Sequence, residues 1–287
     1  MEERIDNNMN LDKKISLYCV PTPIGNLSDM STRCIEILKS VDFIAAEDTR
    51  NSGILLKHFC IKKPMISYHE HNRAMREEEI ISRLKDGQVC ALISDAGMPA
   101  ISDPGEELVK KCYENNLIVS AIPGPNAAVT ALAMSGISSK RFCFEGFLSI
   151  SKSARNEHLQ SLTTEKRTMI FYESPHRLKN TLIDFNKFFG NRKISIIREI
   201  SKIYEQVIIT TLDLATEIYK NKEPRGEFVL VLEGFLGEES HTVDDEVIKK
   251  NFFDKIAEGK TRSVAAKEIS VMYGLSKRAI YEKFKDK

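Results

Sequence analysis

The sequence predicts an α/β protein organised around a parallel sheet, and three observations carry that expectation. Strand-length apolar runs alternate with helix-period segments up to Gly136, the order of a βαβ chain. Three of the runs, at 15–20, 89–94 and 117–122, each stop at a loop crowded with Gly and Pro that leads into a helix. Past Gly136 the runs come closer together, which predicts a second unit with a mixed sheet and fewer crossovers.

In chain order, strands are expected over 15–20, 41–46, 65–68, 89–94 and 117–122, with helices over 32–39, 52–59, 73–85, 104–114 and 126–134. The second unit reads as strands at 142–148, 168–173, 194–199, 207–211 and 228–232, with helices at 151–163 and 175–188. Segment 205–211 is a hairpin partner for 194–200. A boundary between Ser135 and Lys140 gives one α/β domain over 15–137 and another over 138–237. Residues 1–14 form a mixed-charge, Asn-rich tail without the apolar stretch of a secretory signal. After the Gly-containing polar run 234–242, helix patterns at 243–257, 263–273 and 276–284 make up a C-terminal helical segment, 243–287. Gly274 as C-cap and Ser276 as N-cap make its last two helices resemble a helix-turn-helix that faces nucleic acid. A small bundle that only packs on the body is the plainer reading.

A chain of 287 residues with 42% hydrophobic and 29% charged residues has the make-up of an ordinary two-domain globular protein. No apolar run nears the ~20 residues of a membrane span, so a cytoplasmic protein is expected, with no membrane partner. Six cysteines, none in a C-x-x-C pair, argue against a disulfide framework and against zinc, and no metal is expected. The net charge is only +1, yet residues 255–287 hold nine basic against four acidic side chains, which concentrates positive charge at the C-terminus.

The densest chemistry lies in Ser94-Asp-Ala-Gly-Met-Pro-Ala-Ile-Ser-Asp-Pro-Gly105, a loop that reads as a ligand cradle. Pro21-Thr-Pro-Ile-Gly-Asn26 and Pro123-Gly-Pro-Asn-Ala127 are built alike, and ligands of open α/β sheets bind outside the carboxyl ends of the strands. Neither G-x-G-x-x-G nor a Walker loop is present, so neither an NAD enzyme nor a P-loop NTPase is supported. Ala45-Ala-Glu-Asp-Thr-Arg50 places two carboxylates and a guanidinium at a strand end, to be read either as functional or as an Asp48 cap with a surface ion pair. Tyr68-His-Glu-His-Asn-Arg73 is expected to form a polar rim that contacts substrate. Phe171-Tyr-Glu-Ser-Pro-His-Arg177 and Arg198-Glu-Ile-Ser-Lys202 put cations where a cleft would open, which suits phosphates of an RNA backbone.

Together with His69-Glu-His-Asn72, these segments resemble, in order and from about Ser16 onward, the bacterial 16S ribosomal RNA cytidine 2′-O-ribose methyltransferases of the tetrapyrrole-methylase-like superfamily. The resemblance implies two α/β domains of the tetrapyrrole methylase type with a cofactor cleft between them, S-adenosylmethionine as cofactor, and a homodimer. It places Pro23, Gly25, Asp95, Ala96, Gly97, Met98, Gly124, Asn126 and Ala127 at the cofactor, with Met98 standing where the family carries Thr. The implied acceptor is a decoding-centre cytidine of 16S ribosomal RNA, expected within the 30S subunit. Arg50, His176, Arg177, Arg198, Lys277 and Arg278 are the expected RNA contacts, and Lys202, Glu173 and His71 the candidate general bases. Two other readings stay open: a methylase for a corrinoid or tetrapyrrole macrocycle on the same fold, and a non-catalytic RNA-binding protein.

Overall fold

The computed structural model describes residues 14–237 and 245–273, together with Ile280, Tyr281 and Phe284. Its first sheet consists of β1 (Leu17–Cys19), β2 (Phe43–Ala46), β3 (Met65–Ser67), β4 (Cys90–Ile93) and β5 (Val119–Ala121). All five strands are parallel, in the order β3-β2-β4-β1-β5. The continuous apolar runs of β2 and β4 are buried at every residue, as strands covered on both faces require. On one face, Phe43, Leu92 and Tyr68 pack with Ile80 and Leu84 of α3 (Arg73–Lys85) and Leu108 and Cys112 of α4 (Glu106–Glu114). On the other, Ile44, Ala91 and Ile93 meet Cys34 and Leu38 of α1 (Thr32–Ser40) and Leu56 of α2 (Thr49–His58).

The second sheet orders β6 (Phe142–Phe147), β7 (Thr168–Glu173), β8 (Lys193–Arg198), β9 (Gln206–Thr211) and β10 (Phe228–Leu232) as β6-β7-β10-β8-β9. Only β6 and β7 run parallel, and the expected β8–β9 hairpin is present. The placement of β10 between β7 and β8 was not foreseen. A strand of five buried apolar residues needs neighbours on both edges, and the chain returns it to the centre. Nor was α8 (Leu212–Lys220) expected: its Leu212, Ala215 and Tyr219 form a short apolar stripe that the β-branched end of β9 runs into without a break. With α6 (Lys152–Ser161) and α7 (Pro175–Phe189), α8 covers one face of this sheet through Leu159, Leu178, Leu182 and Phe185.

The opposite face is covered by α5 (Ala127–Met134), the helix that follows β5 of the first sheet. Its Ala128, Ala131 and Leu132 lie on Ile170, Ile197, Val229 and Val231, and the small alanines allow close approach. The two sheets are thereby joined through a helix, and Ser201 Oγ donates to Asp29 Oδ2 at 2.5 Å as a second link. In the C-terminal segment, α9 (Asp245–Ala257) and α10 (Arg262–Tyr273) share a core of Ile248, Phe252, Ala265, Ala266 and Ile269 that also takes in Ile280 and Phe284. The expected turn at 274–277, the rest of the helix expected at 276–284, the tail 1–13 and the run 238–244 lie outside the described residues.

Leu230 is fully buried at the centre of β10. Leu230→Ala should lower unfolding stability by about 2–5 kcal/mol, read as a lower urea midpoint with an unchanged slope.

Candidate active-site cleft

Because β4, β1 and β5 are neighbours in a parallel sheet, their carboxyl ends bring the three Gly/Pro loops side by side. Thr22 and Gly97 pair as a two-way backbone bridge, with Thr22 N to Gly97 O at 2.9 Å and Gly97 N to Thr22 O at 3.0 Å. Thr22 Oγ1 adds a hydrogen bond to the Ser94 carbonyl at 3.1 Å. Gly97 makes this bridge at φ +85°, a conformation that favours glycine. Ala100 and Ser102 in the same loop also sit at positive φ, 66° and 65°, strain of the kind that gathers at binding sites.

Between these loops and the second sheet lies a cleft of ≈ 430 Å³, within the size range of small-ligand sites. From the first unit it is walled by Ile24, Ala96, Gly97, Met98, Ile101 and Asp103, and from the second by Phe147, Tyr172, Ile200, Glu227 and Val229. Asn126 and Ala127, at the start of α5, close one end. Asn126 caps α5 by accepting from Val129 N at 3.0 Å, and Ala128 N donates to Tyr172 Oη at 3.2 Å. A second cavity of ≈ 360 Å³ adjoins it, lined by Pro23, Gly25, Leu27, Asn51, Ile54, Leu55, His58 and Asp95. The bridged loops form a shared wall: Ile24, Ala96 and Gly97 line the first cavity, while Pro23, Gly25 and Asp95 line the second.

Of the nine residues expected at the cofactor, five therefore line the cleft and three line its neighbour. The ninth, Gly124, serves packing, since a Cβ there would stand 2.4 Å from Pro21 Cγ. Among the base candidates, Glu173 borders the cleft, but its side chain is only 1% exposed and points inward. It accepts hydrogen bonds from Thr181 Oγ1 and from Ser174 N, with Arg177 Nε 3.6 Å away. Lys202 is hydrogen-bonded to Glu199 at 2.9 Å and Glu227 at 2.8 Å. Burial pulls its pKa down, the two carboxylates outweigh that pull, and the net shift is upward, so the ammonium stays charged. His71 lies in a one-turn helix, Glu70–Asn72, after the edge strand β3 and lines neither cavity.

The expected RNA contacts divide in the same way. Arg50 is 88% exposed and paired with Asp48, which also caps α2; the hydrogen bonds from Arg50 hold the Asp48 carboxyl down at about 2. His176 is exposed in the first turn of α7. Arg177 donates to the Leu148 and Ser149 carbonyls, and Arg198 to the Arg225 carbonyl, so both guanidinium groups are partly engaged within the protein. Lys277 and Arg278 lie outside the described residues.

A group not singled out from the sequence is Asp103. Among the described residues no hydrogen-bond donor reaches its carboxylate, which faces the cleft. Burial, followed by the charges of Glu47 and Asp95, pushes its pKa up to about 7. Burial likewise raises Glu47, whose carboxylate accepts from Asp95 N at 3.3 Å. In sequence Asp103-Pro-Gly105 reads as turn chemistry, and only its burial and the approach of Glu47 and Asp95 set Asp103 apart.

Residues 16–215 match the family described as Tetrapyrrole (Corrin/Porphyrin) Methylases. The chain belongs to that family. Tetrapyrrole methylases use S-adenosylmethionine, and the methyltransferase activity and cofactor expected from the sequence are properties of the family. Relatives called ribosomal RNA small subunit methyltransferase I include one from Synechocystis sp., 46% identical over 93% of this chain and 96% of that protein. Another, from Bacillus subtilis (strain 168), is 44% identical over 93% of each. Two solved structures share the fold. Diphthine synthase aligns with TM-score 0.58 at 11% identity over 77% of this chain and 90% of that one. A cobalamin biosynthetic enzyme, cobalt precorrin-4 methyltransferase, aligns with TM-score 0.55 at 15% identity over 75% and 94%.

The raised carboxyl is directly measurable in this tetrapyrrole methylase. Carbon-detected NMR of the aspartate carboxyls should show one resonance that titrates near pH 7, absent in Asp103→Asn, against an ordinary aspartate value of about 3.9.

Proposed function

We propose that this chain transfers a methyl group from S-adenosylmethionine to the ribose 2′-oxygen of a cytidine in 16S ribosomal RNA, acting in the cytoplasm as a homodimer on the 30S subunit. The length of the similarity carries this reading. The relatives named for ribosomal RNA match over 93% of the chain, too much to omit the C-terminal helices, whereas the methylase family match ends at residue 215. The basic excess of that segment suits an RNA partner.

The cleft fits the cofactor on three counts: its size, the close approach that glycine at position 97 allows in its wall, and a carboxylate, Asp103, that no donor among the described residues reaches and that suits a cationic ligand. Ala96, Gly97, Met98, Asn126 and Ala127 would hold it, largely through backbone and apolar contact. When bound, S-adenosylmethionine supplies an activated, positively charged methyl donor. What the chain must add is alignment of the acceptor hydroxyl, worth several kcal/mol of barrier, and a place for its proton. Asp103 takes that proton in this reading, since Glu173 is held inward and Lys202 is kept charged by its two partners. Tyr172 lines the cleft near Asp103, and burial, the largest cause, raises its pKa, so it stays a neutral phenol.

The decisive test is transfer of labelled methyl from S-adenosylmethionine to 30S subunits that lack the native modification. Label is expected on a cytidine 2′-oxygen of 16S RNA, and its absence with cofactor binding intact would sink the proposal. If ionised Asp103 is the working form, a carboxyl titrating at about 7 is mostly charged at pH 8 and mostly neutral at pH 6. The rate constant should therefore fall roughly tenfold across that interval. Asp103→Asn should lower it by about 10²–10⁴ and remove the pH dependence.

A further inference from the structure

The second cavity, beside the proposed cofactor cleft, has a lining with a chemistry of its own. Leu27 and Ile54 stand on its walls at 44% and 72% exposure, apolar surface that the protein core does not use. The Asn51 amide donates from Nδ2 to Asp95 Oδ2 at 2.9 Å, which fixes the sense of the amide and leaves its carbonyl oxygen as an acceptor. The Asp95 carboxylate, held on its other oxygen by Asp48 N at 3.3 Å, is a second acceptor. His58 borders the same space, edge-on to Phe59 at 4.8 Å. Apolar walls with two acceptors suit a flat, polar-edged ring that carries an amine.

Two further observations point to a nucleotide. The cavity lies across the bridged loops from the cleft, so a base seated there leaves its ribose at the shared wall of Gly25, Asp95 and Gly97. Arg50, Asn51, Ile54, Lys57 and His58 all lie on the exposed side of α2, and they recur at helical spacing. That stripe sets cations beside the cavity mouth, where the phosphates of an RNA strand would pass.

We propose that this second cavity takes the cytosine base of the nucleotide to be methylated, flipped out of the RNA. Leu27 and Ile54 lie against the faces of the ring, and Asn51 and Asp95 accept from its exocyclic amine. His58 donates to the pyrimidine O2 carbonyl. A uracil would set its O4 acceptor against the same two acceptors, so the cavity selects cytidine over uridine. The inference rests on the RNA methylation proposed above and assigns the part of the chain that chooses the base.

The test compares methyl transfer to 30S subunits carrying cytidine or uridine at the labelled position. The wild-type protein should prefer cytidine by about 10²-fold or more, because uracil would set its O4 acceptor against the acceptors of Asn51 and Asp95. Asn51→Leu should lower kcat/KM for the cytidine particle by about 30-fold and shrink the preference, with the Kd for S-adenosylmethionine unchanged. Ile54→Ala, at a site outside the core, should raise KM for the 30S particle about fivefold, with cofactor affinity again unchanged. Equal transfer to both particles by the wild type, or an undiminished preference in Asn51→Leu, overturns the base pocket and leaves the RNA methylation standing. No transfer to either particle overturns both.

Discussion

The bridge between Thr22 and Gly97 is the constraint on which the rest of the site depends. Two loops from neighbouring parallel strands are tied by two backbone hydrogen bonds, which requires Gly97 at φ +85° and the Thr22 hydroxyl on the Ser94 carbonyl. Once tied, they act as one partition, and the backbone on either side of it lines a different cavity. Placement to within a fraction of an ångström is what a transfer with a pre-activated donor asks of a protein.

The second support is α5. It ends the first βα series, yet it packs its alanines on the second sheet and caps its amino end with Asn126 above the cleft. The Tyr172 hydroxyl meets its backbone there, so the two walls of the cleft are held by covalent continuity as well as by contact. Lys202 adds a third tie. Its stem fills the space beside Gly25, and its ammonium holds Glu199 and Glu227 together, which suits a structural cation better than a proton acceptor.

Electrostatics in the cleft follow from this geometry. Glu47 approaches Asp95 and Asp103 of the 94–105 loop, and burial, followed by the repulsion among these charges, raises the Glu47 and Asp103 carboxyls. Asp48, which accepts three hydrogen bonds from Arg50 and is partly open to solvent, stays acidic beside them. Neighbours in sequence thus differ in charge behaviour because one faces a cation and water while the others face each other.

By itself the sequence determined the parallel sheet, the three Gly/Pro loops at its edge, the β8–β9 hairpin and the Asp48 cap. These are local matters of periodicity and turn chemistry, and the motif set was specific enough to point to the family. It did not reveal α8, whose apolar stripe is only three residues wide, nor the central place of β10, which is decided by pairing across the sheet. Tertiary structure alone decided which side chains are free to react. Glu173 looks available in sequence and is consumed by Thr181 and Ser174, while Asp103 looks like a turn residue and meets no donor among the described residues. Desolvation and charge repulsion depend on distances between loops far apart in the chain, and no local pattern records them.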